Sequence, residues 1–516
     1  VSRGAFPFLL GALLFLPSCP SHQPLRPPRR AVRTGLDRLV AGGFAVLRGK
    51  RVGLVCNPSS VDGEGRHAID LLRGAPDVAL AAIFAPEHGL RGSSLGEVEH
   101  GRDEATGLPV WSLYGEVRKP TPAMLAGLDV LVFDVQDVGA RFYTYVSTMA
   151  LAMEAAAEAG IPFVVLDRPN PIGGEVVEGP LLDPALRSFV GVHPIALRHG
   201  MTLGELARLF AARSLDGRRV DLLVVPCEGW RRDALFPETG IRWVPPSPNM
   251  PDPETALVYP GTCLLEATNL SEGRGTPTPF RLVGAPWVDG DRLASALAGL
   301  PDVVVGPARF TPRAIHGKAL NPRHLDRECG GVRIRVREPA RFRAVEFGVR
   351  LLCAVRDLHP GLLSFSAERF DRLAGARWLR EAIERGEPAS ALLARLEEDA
   401  ARFRGERAPY LLYPFGGAAP SRGMEGMLPA DCPRCRLRFD PATSSGGRGA
   451  SRAGSSFPFS RSPNRRPANA FRSVSAAPSR ARIPRPSFAV RLRRRSGTRA
   501  SRSSPPVFRR APRPPS

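Results

Sequence analysis

The amino-acid sequence predicts an α/β chain, with a Rossmann-like, doubly wound parallel sheet followed by a second, smaller α/β domain. Three observations carry that expectation. Apolar runs alternate with helical patterns from Gly35 to about Val225, the alternation that produces parallel sheets. The runs are continuously apolar, as expected of strands covered on both faces. Polar groups gather just past several run ends, at the edge where open α/β sheets take their ligands.

The N-terminal end comes first in the organisation. Arg3 followed by FPFLLGALLFLPSC reads as an export signal over residues 1–19, too short to span a bilayer comfortably. Leu16, Pro17, Ser18 and Cys19 resemble a lipobox with an unusual proline, so the expectation is an exported protein, periplasmic or lipid-anchored at Cys19. Residues 20–34 read as a linker. Residues 35–220 form the sheet domain, 221–415 the second domain, and 416–516 a basic Pro/Arg/Ser-rich tail expected to be disordered.

The 516-residue chain carries a formal charge of +22. From Gly416 onward about 22 arginines stand against 3 acidic residues, so nearly all of the excess lies in the tail. The rest is close to neutral, which argues against a nucleic-acid-binding core. Lysine occurs only at Lys50, Lys119 and Lys318, so arginine counts reflect a compositional bias as much as function. The tail reads as an electrostatic anchor, a plain extension or a mistranslated frame. Its lone CxxC, Cys432 and Cys435, is a weak zinc or redox signal. Cys56, Cys227, Cys263, Cys329 and Cys353 stand singly in apolar contexts and read as small core residues.

Within the sheet domain the strands are VGLVCN (Val52 to Asn57), the run from Val78, VLVFDVQD (Val130 to Asp137) and FVVLDRPN (Phe163 to Asn170). A helix pattern begins near Ser147 and stops at Gly160, while Thr202 and Glu205 form a capping box for another. The strand ends deliver Asn57, Glu87, His88, Asp134, Asp137, Asp167, Arg168 and Asn170 to one edge. Neither GxGxxG nor GxxxxGK[ST] occurs, so no nucleotide cofactor is expected. After Val225, the Pro- and Gly-dense stretches Val244 to Thr255 and Glu266 to Phe280 read as long ordered loops that line a site and exclude long helices. A strand at Val332 to Val336 follows, with helices over Ala344 to His359, Arg377 to Glu384 and Ala389 to Phe403.

Six blocks in order, FAPEHGLRG, DVQDVGARFYTY, LDRPNPIGG, RHGMTLGELA, PPSPNM and EATNLSEGRGT, resemble the exo-β-N-acetylmuramidase family of glycoside hydrolases. The resemblance covers Gly35 to Phe415. It implies a Rossmann-like domain joined to a smaller α/β domain with the active site in the cleft. It also implies metal-independent release of terminal N-acetylmuramic acid from the non-reducing end of peptidoglycan fragments, without a cofactor.

That chemistry needs a general acid and a second group that activates water or attacks the anomeric carbon. Glu87, directly after a buried strand and beside Phe84 and Pro86, is the first choice for the acid. Asp137, Asp134, Glu272 and Tyr143 are candidates for the second role, with a structural carboxylate capping the following turn as the alternative for Asp134, which lies nearer the strand. Substrate-assisted attack by the 2-acetamido group is the alternative. The lactyl carboxylate of the sugar calls for arginine. Arg141 and Arg274 are preferred over Arg168 and Arg198, with His88, Asp167, Asn170, His199 and Asn249 as further substrate contacts. His88, His199 and Asp137 lack any recognised metal-ligand spacing, so no metal is expected. The rival readings are an inactive cell-wall glycan-binding protein, a hexosaminidase of other sugar specificity, and nucleic-acid binding through the tail.

Overall fold

Six strands carry the sheet: β1 (Lys50–Cys56), β2 (Val78–Ala85), β3 (Pro109–Ser112), β4 (Val130–Asp134), β5 (Phe163–Leu166) and β6 (Leu222–Val225). In the computed structural model, which describes residues 31–90, 100–213 and 217–415, all six run parallel in the order β3-β2-β1-β4-β5-β6. The short Gly101–Arg102 strand adds an antiparallel edge beside β3. The chain winds outward from β1 to β3, then returns to β4 on the other side. The carboxyl ends of β1 and β4 are therefore the switch point, where such sheets open a crevice. Their register is level there, with Cys56 opposite Asp134.

Strand residues point alternately into two apolar layers. Leu54, Val130, Val132 and Leu166 pack with Leu36, Leu39, Ile69 and Leu72 on one face. Val55, Phe84, Leu131 and Phe133 pack with Met149, Met153 and Leu206 on the other. This double coverage explains the continuous apolar runs. The helices begin and end where their local chemistry directs. Thr202 and Glu205 form the expected reciprocal cap of Leu203–Ala212, and Gly160 closes Tyr145–Ala159 at φ 67°. That helix starts at Tyr145, two residues before the expected position.

The structure adds strands that the sequence reading passed over. β3 is short and opens with proline, tolerated because Pro109 pairs only with the edge strand. β6 extends the first sheet beyond position 220. A separate antiparallel sheet has Cys329–Val336 at its centre, flanked by Leu282–Ala285 and Val303–Phe310. Between the two Pro- and Gly-dense stretches runs a ten-residue helix the sequence reading did not name, Pro253–Thr262, which Asp252 caps and which holds Pro260 inside it. It lies against Ala344–Leu358 at a close crossing, where a Cβ on Gly261 would meet the Ala344 carbonyl oxygen at 1.9 Å. The apolar layer below the sheet continues through Tyr259, Leu264, Phe347 and Leu351 into this C-terminal region. The export segment with Cys19, and the basic tail with Cys432 and Cys435, lie outside the described residues.

Candidate active site

Past the end of β2 the backbone turns sharply. His88 sits at φ 73° and Gly89 at φ 71°, with the Gly89 N–H donating to the Pro86 carbonyl at 3.0 Å. Positive φ at a histidine is uncommon and strained, and the turn leaves Glu87 half-buried at the edge of the sheet. The Thr144 hydroxyl donates to Glu87 Oε2 at 2.6 Å. The Tyr114 hydroxyl, from the segment after β3, faces the same carboxylate. Burial, then the charge and hydrogen bond of Glu87, push the Tyr114 phenol up to about 12. Among the described residues Glu87 has no cationic partner.

Beside Glu87 opens a cavity of about 560 Å³. One wall is aromatic: Tyr259 packs edge-on against Phe142 at 5.3 Å, Tyr143 at 5.9 Å and Phe280 at 4.8 Å between ring centroids. The 245–250 loop closes over this wall. Its Pro246 carbonyl accepts from Tyr145 Oη at 2.6 Å and from Asn57 Nδ2 at 3.2 Å, which ties the loop to the end of β1 and to the start of the helix Tyr145–Ala159. Another wall carries charge. Arg274 lies 2.7 Å from Glu266 and 2.9 Å from Glu272, and Arg369 reaches Glu266 at 2.9 Å. Against the effect of burial, the two arginines hold the Glu266 carboxyl below the usual carboxylate range.

Of the residues named from the sequence, Glu87, His88, Tyr143, Asn249 and Arg274 line this cavity. Burial raises the Tyr143 phenol well above its ordinary value, so it stays protonated. Asn249 donates to the Lys318 carbonyl at 2.7 Å. The other candidates face elsewhere. Asp137 does not reach outward; it is buried, accepts from the Gly139 N–H at 2.7 Å and faces His199 Nε2 at 3.4 Å. His199 is fully enclosed. Glu272 stands behind Arg274, buried and outside the cavity lining.

Arg141 is the clearest correction. Its guanidinium is buried and donates to the carbonyls of Pro180, Ile195, Leu373 and Ala374, so it cannot also clamp a ligand. Arg198 pairs with Glu178 at 3.0 Å in the interior. Arg168 makes a two-pronged pair with Asp134 at 2.6 and 2.9 Å, which occupies both and takes Asp134 out of the catalytic candidates. Asp167 accepts from Thr202 Oγ1, Tyr413 Oη and the Gly204 N–H. Asn170 bonds the Met201 carbonyl and the Ile172 N–H. These polar strand ends form a scaffold beneath the cavity.

Sequence reasoning missed Tyr114, Arg118, Phe189 and Glu266 as lining residues. Glu266 opens the EATNLSEGRGT block and was within reach. Tyr114 and Arg118 follow a strand of four residues, too short to recognise, and Phe189 lies in a loop with no motif.

Residues 52–254 match the family described as exo-beta-N-acetylmuramidase NamZ, N-terminal, and residues 257–413 match its C-terminal counterpart. A peptidoglycan beta-N-acetylmuramidase NamZ from Bacillus subtilis (strain 168) is 44% identical over 419 residues, 79% of this chain and 99% of that protein. Two crystal structures of DUF1343 family proteins from Bacteroides fragilis are similar, at 36% identity with TM-score 0.70 and at 35% with TM-score 0.61. Each similarity covers 75% of this chain and all of the other.

Proposed function

The chain belongs to the exo-β-N-acetylmuramidase NamZ family, and from that premise we propose how its cavity works. It is a glycoside hydrolase that releases terminal N-acetylmuramic acid from the non-reducing end of peptidoglycan fragments. The observation that carries the catalytic reading is the setting of Glu87. Every other carboxylate in the cavity lining is matched to an arginine, Glu266 to Arg274 and Arg369, and Glu368 to Arg372. Among the described residues Glu87 meets hydroxyls only. A carboxyl without a counter-charge in a half-buried site is the group suited to pass a proton to the glycosidic oxygen.

The second role is narrower than the sequence left it. Asp137 and Glu272 face away from the cavity, and Tyr143 is held protonated. That leaves Glu266, held ionised on the opposite wall, or the substrate's own 2-acetamido oxygen. The aromatic wall supplies apolar surface for a sugar ring.

The test is turnover of a chromogenic β-N-acetylmuramide and its N-acetylglucosaminide counterpart, alongside Glu266→Gln. Release from the muramide, with kcat cut at least 100-fold in the variant, assigns the second role to Glu266. A variant near wild-type kcat assigns it to the acetamido group. No release from either sugar by the intact protein overturns the reading and favours a glycan-binding protein.

A further inference from the structure

The arginines around the cavity are not equivalent. Arg274 is flanked by two carboxylates, Arg369 contacts Glu266, and Arg372 lies 2.6 Å from Glu368. Each of those charges is already answered, so an incoming anion would have to displace a carboxylate that is covalently part of the wall. Arg118 differs. It lines the same cavity, and among the described residues no carboxylate lies within ion-pair reach of it. Its guanidinium is seated instead on the Phe189 ring, 4.8 Å from the centroid.

That seat matters chemically. A guanidinium stacked on an aromatic face is oriented through the π contact, which leaves its N–H edge free for a planar anion. Phe189 is itself braced by Tyr114, whose ring lies 6.0 Å away, and Tyr114 reaches Glu87. One connected set of side chains thus runs from the candidate acid to an unanswered cation.

We propose that Arg118, held on Phe189, binds the carboxylate of the substrate's lactyl group and sets the preference for muramic over glucosamine residues. The inference rests on the functional reading above and assigns the selectivity that reading leaves without a residue. Arg141 and Arg274, the arginines favoured from sequence, are excluded by their existing partners. A two-pronged guanidinium–carboxylate contact at a partly solvated rim is worth about 10- to 100-fold in binding.

The test compares wild type, Arg118→Met and Arg118→Lys on three chromogenic substrates: the β-N-acetylmuramide, its lactyl methyl ester and the β-N-acetylglucosaminide. Wild type should prefer the free acid over the ester, and added salt should erode that preference. Arg118→Met should raise KM for the acid about 10- to 100-fold with kcat little changed, drawing the acid-to-ester ratio toward one. Arg118→Lys should recover part of the ratio, since it keeps the charge and loses the fork. An unchanged ratio in Arg118→Met overturns the proposal, as does an equal loss on all three substrates, which would make Arg118 structural. A wild-type protein inactive on every substrate overturns the functional reading itself, a result distinct from either of those.

Discussion

Asp134 and Arg168 offer the sharpest test of how the scaffold beneath the cavity is held. The carboxylate is fully buried, the guanidinium 4% exposed, and two hydrogen bonds of 2.6 and 2.9 Å join them. At that separation and an effective dielectric near 20, the attraction is about 6 kcal/mol, most of which offsets the desolvation of both ions. Asp134→Asn removes one charge and strands the other, since Arg168 then keeps only neutral acceptors, the amide oxygen of the new side chain and the Val61 carbonyl at 2.9 Å. The expected cost is about 3–5 kcal/mol, a large fraction of the roughly 5–15 kcal/mol that stabilises a folded domain. Urea unfolding followed by tyrosine and tryptophan fluorescence should register a midpoint lower by roughly 1 M or more with little change in slope. The double variant Asp134→Leu/Arg168→Met, which removes both charges and keeps apolar volume, should recover most of the loss. A cost below about 1 kcal/mol for Asp134→Asn, or a double variant no better than the single, would refute a dry, tightly coupled pair.

Three further outcomes follow from the same geometry. Burial lifts Asp167 to about 6, against the hydroxyl of Tyr413, the Gly204 N–H and the hydroxyl of Thr202. The folded chain therefore holds that proton more tightly than the unfolded one. The resulting stability is fully present below about pH 4 and is lost as pH rises to about 6, up to about 3 kcal/mol. Asp167→Asn should flatten the urea midpoint across that window, and an unchanged slope would contradict it. Gly261→Ala should destabilise by about 1–3 kcal/mol or more because its Cβ meets the Ala344 carbonyl oxygen; a neutral result by thermal melting would mean that the helix crossing can widen. Thr144→Val removes the 2.6 Å hydrogen bond to Glu87 and should lower kcat about tenfold at near-constant KM, so a shift confined to KM would show that Thr144 serves binding instead.

Much of the sheet was legible because its central strands are covered on both faces, and continuous apolar runs leave little choice of register. β3 escaped because it is four residues long, opens with proline and is only partly buried, and Val303–Phe310 because Gly306, Pro307 and Arg309 break its pattern. The site was legible as a place but only partly as a set of side chains. Along DVQDVGARFYTY, Tyr143 and Thr144 turn to the cavity while Asp134, Asp137 and Arg141 turn to the interior. What turns Arg141 inward is four carbonyls at positions 180, 195, 373 and 374, partners that no local pattern announces. Polar density at a strand end therefore identified the edge correctly and overcounted the groups that face a ligand. Tyr114, Arg118 and Phe189 reach the cavity from segments without motif or periodicity, so only tertiary packing reveals them.

Proton donation by Glu87 is tested most directly by comparing Glu87→Gln with wild type on two muramides that differ only in leaving group. One is a muramyl disaccharide, whose departing sugar alcohol needs a proton; the other is a nitrophenyl muramide, whose phenolate leaves unaided. With Glu87 as the proton donor, the variant loses about 10²- to 10⁴-fold in kcat on the disaccharide and far less on the nitrophenyl substrate. Equal losses on both, or a variant that still cleaves the disaccharide at the wild-type rate, would contradict Glu87 as the proton donor.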